Sequence, residues 1–162
     1  MIKIKKCDFS DIKIIKEIAD KTWRQTYASF IDPEQISYMY SQFYSLEGLQ
    51  DQMDRGDTFL LARANSEYLG FCSYMNLDEC IKIPKLYVLP SDQSKGVGTA
   101  LIDFIIGIAV ETGKPSIELN VNRFNPAFHF YRKKGFSIKK MIDIPLDKFL
   151  LEDYIMQYNI SR

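Results

Sequence analysis

Histidine is almost absent from this sequence, and a net charge is wholly absent. His129 stands alone, and Lys+Arg and Asp+Glu each number 21 in 162 residues. A dedicated nucleic-acid binder carries a basic excess, so this balance argues against that class of partner. Cys7, Cys72 and Cys80 show no paired ligand spacing, and one histidine does not complete a zinc set, so no metal is expected. An odd cysteine count in a chain this size reads as reduced thiols in a cytoplasmic protein. Long apolar runs are missing too. The longest, "FIIGIAV" (Phe104 to Val110), is far too short to cross a membrane. The opening "MIKIKKCDFS" alternates charge with aliphatic residues where a signal peptide would carry an apolar segment. These absences point to a soluble cytoplasmic protein with no membrane partner. What is present is a core: 46% hydrophobic and 14% aromatic residues, enough for one domain over 1–162.

Periodicity divides the chain into strands and helices. "MIKIKK" alternates as a strand, and Ser10 is read as the N-cap of a helix burying Ile12, Ile15, Ile18, Ala19 and Trp23. Asp32 caps a second helix with Pro33 first and Gln35 closing a capping box. Leu46 to Asp54 has the pattern of a short third helix. "TFLLARA" (Thr58 to Ala64) and Tyr68 to Asn76 form a hairpin, and "KLYVLP" (Lys85 to Pro90) is another strand. A helix follows Gly96 and stops at Gly113. Ser116 to Asn122 is a strand, Asn125 and Pro126 open a helix that ends at Gly135, and two strands follow. The order, β-α-α-β-β-β-α-β-α-β-β, predicts an α/β fold with a mixed, mostly antiparallel twisted sheet flanked by helices.

The junction "YVLPSDQSKGVGTALIDF" carries the first functional signal. Two glycines one residue apart, where a strand hands over to a helix, let an anion approach backbone N–H groups and the positive end of a helix dipole. The phosphate site so predicted spans Gln93, Ser94, Lys95, Gly96, Val97, Gly98 and Thr99. It is not a dinucleotide fingerprint, because Leu101 stands where a third small residue is required. It lacks the Gly-Lys-Ser/Thr of a P-loop as well.

A second segment, "LNVNRFNPAFHFYRKKGF" (Leu119 to Phe136), joins it. Together the two resemble the acyl-CoA-binding motifs of the GNAT superfamily of N-acyltransferases. The Q/R-x-x-G-x-G/A loop is matched by Gln93, Gly96 and Gly98, and the N-x-A-x-x-F-Y-x-x-x-G-F pattern by Asn125, Ala127, Phe130, Tyr131, Gly135 and Phe136. The resemblance implies that the loop holds the pyrophosphate of acetyl-CoA. It also implies that backbone groups of Leu86, Tyr87 and Val88 meet pantetheine and the acyl carbonyl, and that Asn125 and Phe128 border the cosubstrate. Tyr131 takes the family's general-acid position. A phenol of pKa about 10 keeps its proton at neutral pH and can give it to a forming thiolate. His129 lies two helical positions away, about 200° around the axis, and is expected to face solvent.

The base is where this sequence departs from that pattern. The usual glutamate positions correspond to Pro84 and Asn120, and Glu118, on the same strand face as Asn120, is a weak substitute. An amine of pKa about 10.4 costs about 4.6 kcal/mol to deprotonate at pH 7, and an α-amine near pKa 8 only about 1.4 kcal/mol. The sequence therefore suggests a water chain held by Asn120, or an acceptor of low basicity. The acceptor, a small-molecule or peptide amine, is expected near Tyr27, Phe30 and Asp32, with Asn120 beside it; Trp23, Ile36 and Met39 read as core. The closing "LEDYIMQY" resembles the last strand of bacterial small-molecule acetyltransferases, polyamine-acetylating ones included, and relatives of that kind suggest a homodimer. The basic run "RKKGFSIKK" reads as a solvated helix end, with one member within reach of the CoA 3′-phosphate. Two other readings compete: a GNAT-fold sensor that holds acyl-CoA without turnover, and a nucleotide-binding α/β protein that leaves Asn125 to Phe136 unexplained.

Overall fold

The computed structural model describes residues 1–93 and 95–161. Seven strands form one sheet in the order β1-β2-β3-β4-β5-β7-β6. They are β1 (Ile2–Lys6), β2 (Thr58–Ala64), β3 (Glu67–Asn76), β4 (Ile81–Val88), β5 (Ser116–Asn122), β6 (Ser137–Leu146) and β7 (Phe149–Asn159). The helices are α1 (Ile12–Tyr27), α2 (Pro33–Phe43), α3 (Leu46–Asp54), α4 (Val97–Glu111) and α5 (Ala127–Lys134). The segment 46–54 is thus a full third helix, and three helices, not two, separate the first strand from the second. All neighbouring strands pair antiparallel except β4 and β5. Among the described residues no helix is long and apolar enough to cross a membrane.

Two cores sandwich the sheet. On one face Leu101, Ile102 and Ile105 of α4 pack on Leu60, Cys72, Ile81 and Ile117. On the other Ile15, Trp23, Ile36 and Leu49 of α1 to α3 pack on Phe59, Leu61 and Phe71. Alternation along each strand sends successive side chains to opposite cores.

Two caps differ from the sequence reading. Asp8, not Ser10, starts the first helical segment: its carboxylate accepts from the Ser10 N–H at 2.9 Å and Asp11 closes the reciprocal bond, forming a 3₁₀ turn ahead of α1. Asp32 does cap α2, accepting from the Glu34 N–H, but Gln35 donates instead to the Leu150 carbonyl at 3.2 Å and forms no capping box.

One irregularity positions the site. β3 and β4 pair Ser73 with Lys85 but Met75 with Lys82, so β4 spends three residues against two of its neighbour. This β-bulge contains Pro84, which has no N–H to give a ladder. The parallel pairing of β4 with β5 stops at the same place. It covers only Ile81↔Ile117, Lys82↔Glu118 and Ile83↔Leu119, after which β5 follows β7 along its whole length. The sheet splits there into a wedge.

Candidate active site

The wedge opens a cavity of about 1290 Å³ bordered by residues from both faces of the sheet. On the α4 side it is lined by Val88, Gln93, Gly96, Gly98, Thr99 and Phe130. On the α1–α3 side the lining includes Thr22, Tyr27, Gln52, Lys85, Leu151 and Asp153, and Asn120 and Tyr131 border the cavity as well.

The helix α4 begins without a cap. Gly96 sits at its N-cap with φ +80°, a left-handed angle that glycine adopts at little cost, and among the described residues no side chain bonds the first N–H groups. A Cβ at Gly96 would meet nothing within 4 Å. The neighbouring helix start is closed: Asn125 accepts from the Ala127 N–H at 2.9 Å through its side chain and from the Phe128 N–H at 3.1 Å through its carbonyl. Of these two helix starts bordering the cavity, α4 is the one that, among the described residues, offers free donors and the positive end of its dipole to an anion. That donor set fits a pyrophosphate.

Gly98 has a different reason to be glycine. A Cβ there would lie 3.1 Å from the Phe130 ring, so its absence lets α5 pack against the start of α4. Gly98→Val should therefore destabilise the fold by about 1–3 kcal/mol, the usual cost of overpacking, read as a lowered unfolding midpoint. An unchanged midpoint would mean that α5 gives way freely.

The other residues singled out in the sequence separate into two groups. Leu86, Tyr87, Val88, Gln93, Thr99, Asn125, Tyr27 and Asn120 border the cavity, and Gln93 donates its amide to the Val88 carbonyl at 3.3 Å. Lys95, Val97, Phe128, Phe30 and Asp32 are not among its lining residues. The Lys95 ammonium pairs with buried Asp92 at 3.1 Å, and the Val97 side chain is fully buried in the core. Phe128 turns to Tyr154, with ring centroids 5.4 Å apart, and Phe130 faces the cavity in its stead. Phe30 packs on Tyr27 at 5.6 Å, and Asp32 is spent on its cap. Ser94 lies outside the described residues. Glu118 is engaged by Lys139 at 2.8 Å, and His129 is exposed.

Tyr131 is buried, and among the described residues nothing hydrogen-bonds its hydroxyl. Burial raises its phenol well above the usual value near 10. Tyr27 shares a 2.7 Å hydroxyl–hydroxyl contact with Tyr87, and burial pushes its phenol up to about 12. On the α1–α3 face, Lys82 donates to the Asn120 carbonyl oxygen, and the Asn120 amide donates to Asp153 Oδ2 at 3.3 Å. Burial raises the Asp153 carboxyl above its ordinary range, against the opposing pull of the Asn120 hydrogen bond, Arg123 and Lys82. Asp153 is the carboxylate that the sequence reading did not find. Its signal was an acid at the centre of the run Leu151, Asp153, Ile155, on one face of a strand where its neighbours are apolar.

Lys85 is a second unforeseen group. It is 8% exposed, and among the described residues it has neither a hydrogen bond nor an ion pair. Its ammonium lies 5.4 Å from the Phe43 ring centroid and 5.2 Å from that of Tyr44. Burial lowers it from 10.5 to about 8. Between those values the unfolded chain binds more protons than the folded one, so stability rises with pH from about 8 upward. The full shift corresponds to a ceiling of about 3 kcal/mol. Near pH 10 the buried tyrosines begin to oppose it, since their ionisation is held off only in the fold. Unfolding midpoints measured from pH 7 to 9.5 should climb in the wild type and stay flatter in Lys85→Met, whose stability at pH 7 should be the higher of the two. Parallel profiles would refute the assignment.

A sheet split between its one parallel pair, with an uncapped glycine-started helix at the split, is the architecture of an acyl-CoA-dependent N-acyltransferase. The family model for the Acetyltransferase (GNAT) family matches residues 15–136. A spermidine N(1)-acetyltransferase of Thermoplasma acidophilum is 29% identical over 144 residues, covering 85% of this chain and 89% of that protein. An uncharacterised N-acetyltransferase of Mycobacterium tuberculosis is 28% identical over 131 residues, 80% of this chain and 79% of its own. The crystal structure of the PaiA N-acetyltransferase of T. acidophilum in complex with coenzyme A superposes with a TM-score of 0.84 at 28% identity, over 98% of this chain and 99% of that one. The chain belongs to the GNAT family. It is an N-acetyltransferase whose cosubstrate is acetyl-CoA.

Proposed function

We propose that residues 1–162 act as one cytoplasmic transferase that moves the acetyl group to the primary amine of a small molecule or peptide by direct attack. The observation that carries this reading is the single cavity shared by the open α4 start, Tyr131 and Asp153. Acetyl-CoA supplies the activated acyl group and an anionic end that suits the free N–H groups at Gly96 to Thr99. Lys133, exposed at the cavity rim, suits the 3′-phosphate.

Asp153 accepts the amine proton, oriented by the Asn120 amide, while Lys82 holds Asn120 from the other side. A C–N bond forms as the C–S bond breaks, and Tyr131 gives its proton to the departing sulfur. Backbone N–H groups of β4 beyond Ile83, which have no partner on β5, suit the charge developing on the carbonyl oxygen. Desolvation that raises Tyr131 raises a thiolate in the same cavity too, so burial need not widen the gap between donor and acceptor. The carboxylate at Asp153 removes the main motive for a sensor without turnover.

The relative's printed activity makes spermidine the first acceptor to try. The test is free-thiol release from acetyl-CoA with spermidine, plain alkylamines, amino-acid amides and peptide α-amines. Release with any of them supports transfer. Saturable acetyl-CoA binding with no release across the panel would overturn it. A homodimer would use the β6 edge, which carries exposed Ile138 and Met141 beside Lys139 and Lys140; sedimentation at the mass of one chain would remove it.

A further inference from the structure

Two polar groups in the α1–α3 arm of the cavity have no partner among the described residues. Gln52 is 5% exposed and donates its amide to the Phe43 carbonyl at 2.9 Å. That bond fixes which end of the side chain is oxygen, and the oxygen, Oε1, is sealed from solvent without a donor. Lys85, 8% exposed, is a donor without an acceptor, held over the rings of Phe43 and Tyr44. Both border the same cavity, and both meet Phe43, Gln52 at its carbonyl and Lys85 over its ring. An unmet buried acceptor costs free energy, and so does an unmet buried cation, unless a ligand completes them.

We propose that Lys85 and Gln52 form a subsite for a carboxamide or peptide group carried by the acceptor amine. One planar amide would meet both demands: its carbonyl accepts from the Lys85 ammonium, and its N–H donates to Gln52 Oε1 once the Gln52 side chain shifts to uncover that oxygen. A carboxylate satisfies Lys85 but sets an anion against the Gln52 oxygen. A polyamine satisfies Gln52 but brings a second cation toward Lys85. The nearby acid screens that repulsion only in part, because Asp57 is already paired with Arg55 through bonds of 3.1 and 3.3 Å. Of the acids that line this arm, Asp51 is exposed, and Asp153 is engaged by the Asn120 amide and, in the reading above, takes the proton of the reacting amine. The subsite rests on the acetyl-transfer reading above and narrows its acceptor to amide-bearing amines.

The experiment compares matched linear amines that differ only at the far end: β-alaninamide, 4-aminobutanamide and 5-aminopentanamide against alkylamines, diamines and amino acids of equal length. In the wild type the best amide should exceed its alkylamine and diamine counterparts by about tenfold in kcat/KM, the effect of one hydrogen bond to a charged group. Lys85→Met and Gln52→Met should each cut that ratio below about threefold, with a melting transition in each variant confirming the fold. Equal rates for amide and alkylamine, a preference for the diamine or the amino acid, or an unchanged ratio in both variants would overturn the subsite while leaving acetyl transfer standing. Where no amine releases thiol, calorimetry with the CoA-saturated protein separates the two ideas. Amide binding weakened about tenfold by Lys85→Met supports the subsite and leaves the transfer reading to fall alone. Equal binding in wild type and variant overturns the subsite as well.

Discussion

Tyr131→Phe is expected to lower kcat for acetyl transfer by about 10²–10³-fold while changing the KM for acetyl-CoA little. The magnitude is that of a removed general acid. The substitution deletes one oxygen and leaves the ring on Phe130 and Phe136, whose centroids lie 5.3 and 5.8 Å away, so α5 keeps its seat. The phenol has no protein partner among the described residues, so no internal hydrogen bond is lost with it. Because burial holds Tyr131 above pH 10, it contributes no falling limb to the pH–rate profile below that value. Steady-state thiol release from pH 6 to 9.5 checks both statements. A variant that loses affinity for acetyl-CoA but retains kcat would make Tyr131 a packing residue.

Asp153→Asn should reduce kcat/KM by about 10²-fold for amines of pKa near 10 and by less for α-amines, because a general base matters most where the neutral amine is scarcest. In the wild type the rate rises with pH as the carboxyl ionises, at a value above the ordinary 3.8 because burial disfavours the anion. In the variant that limb disappears and the rate follows the ionisation of the amine alone. Stability supplies the control. A carboxyl whose folded pKa lies above its unfolded one loses stability as pH rises through that window, so above it the charged group weighs against the fold. Replacing it by a neutral amide should leave the melting temperature at pH 7 no lower than that of the wild type. A large drop would show that lost activity reports lost structure. An unchanged rate and pH profile would return the proton to a water chain at Asn120.

Much of the frame was legible because local rules and packing agree. Thr58–Ala64, Leu46–Asp54 and Ser116–Asn122 form with the bounds that alternation, capping and turn residues predict. α4 was harder to orient: nearly every position is apolar, so periodicity does not distinguish Ala100, Phe104 and Ile108 from the buried Ile102 and Ala109. The start of β4 was misread for a physical reason. Pro84 looks like a boundary, yet it sits in a bulge inside a strand that begins at Ile81. Of the contiguous segments, Gln93, Gly96, Gly98, Thr99, Asn125 and Tyr131 border the cavity, while Lys95, Val97 and Phe128 turn elsewhere. Asp153 and Lys85 were not legible in the sequence. Each has its neighbours far away in sequence, Asn120 and Lys82 for one and Phe43 and Tyr44 for the other, and no spacing rule links such positions.

The extra residue in β4 behaves like a frameshift written in side-chain directions. Before it, Ile81 and Ile83 face the α4 core; after it, Leu86 and Val88 do, and the odd-numbered Lys85 and Tyr87 cross to the opposite face. An unbroken strand would have kept odd positions on one side throughout, turning a lysine into the α4 core and Leu86 and Val88 toward the acceptor. One inserted residue thus divides a single strand into two halves with opposite addresses, the first built for cohesion and the second for contact with what the enzyme handles.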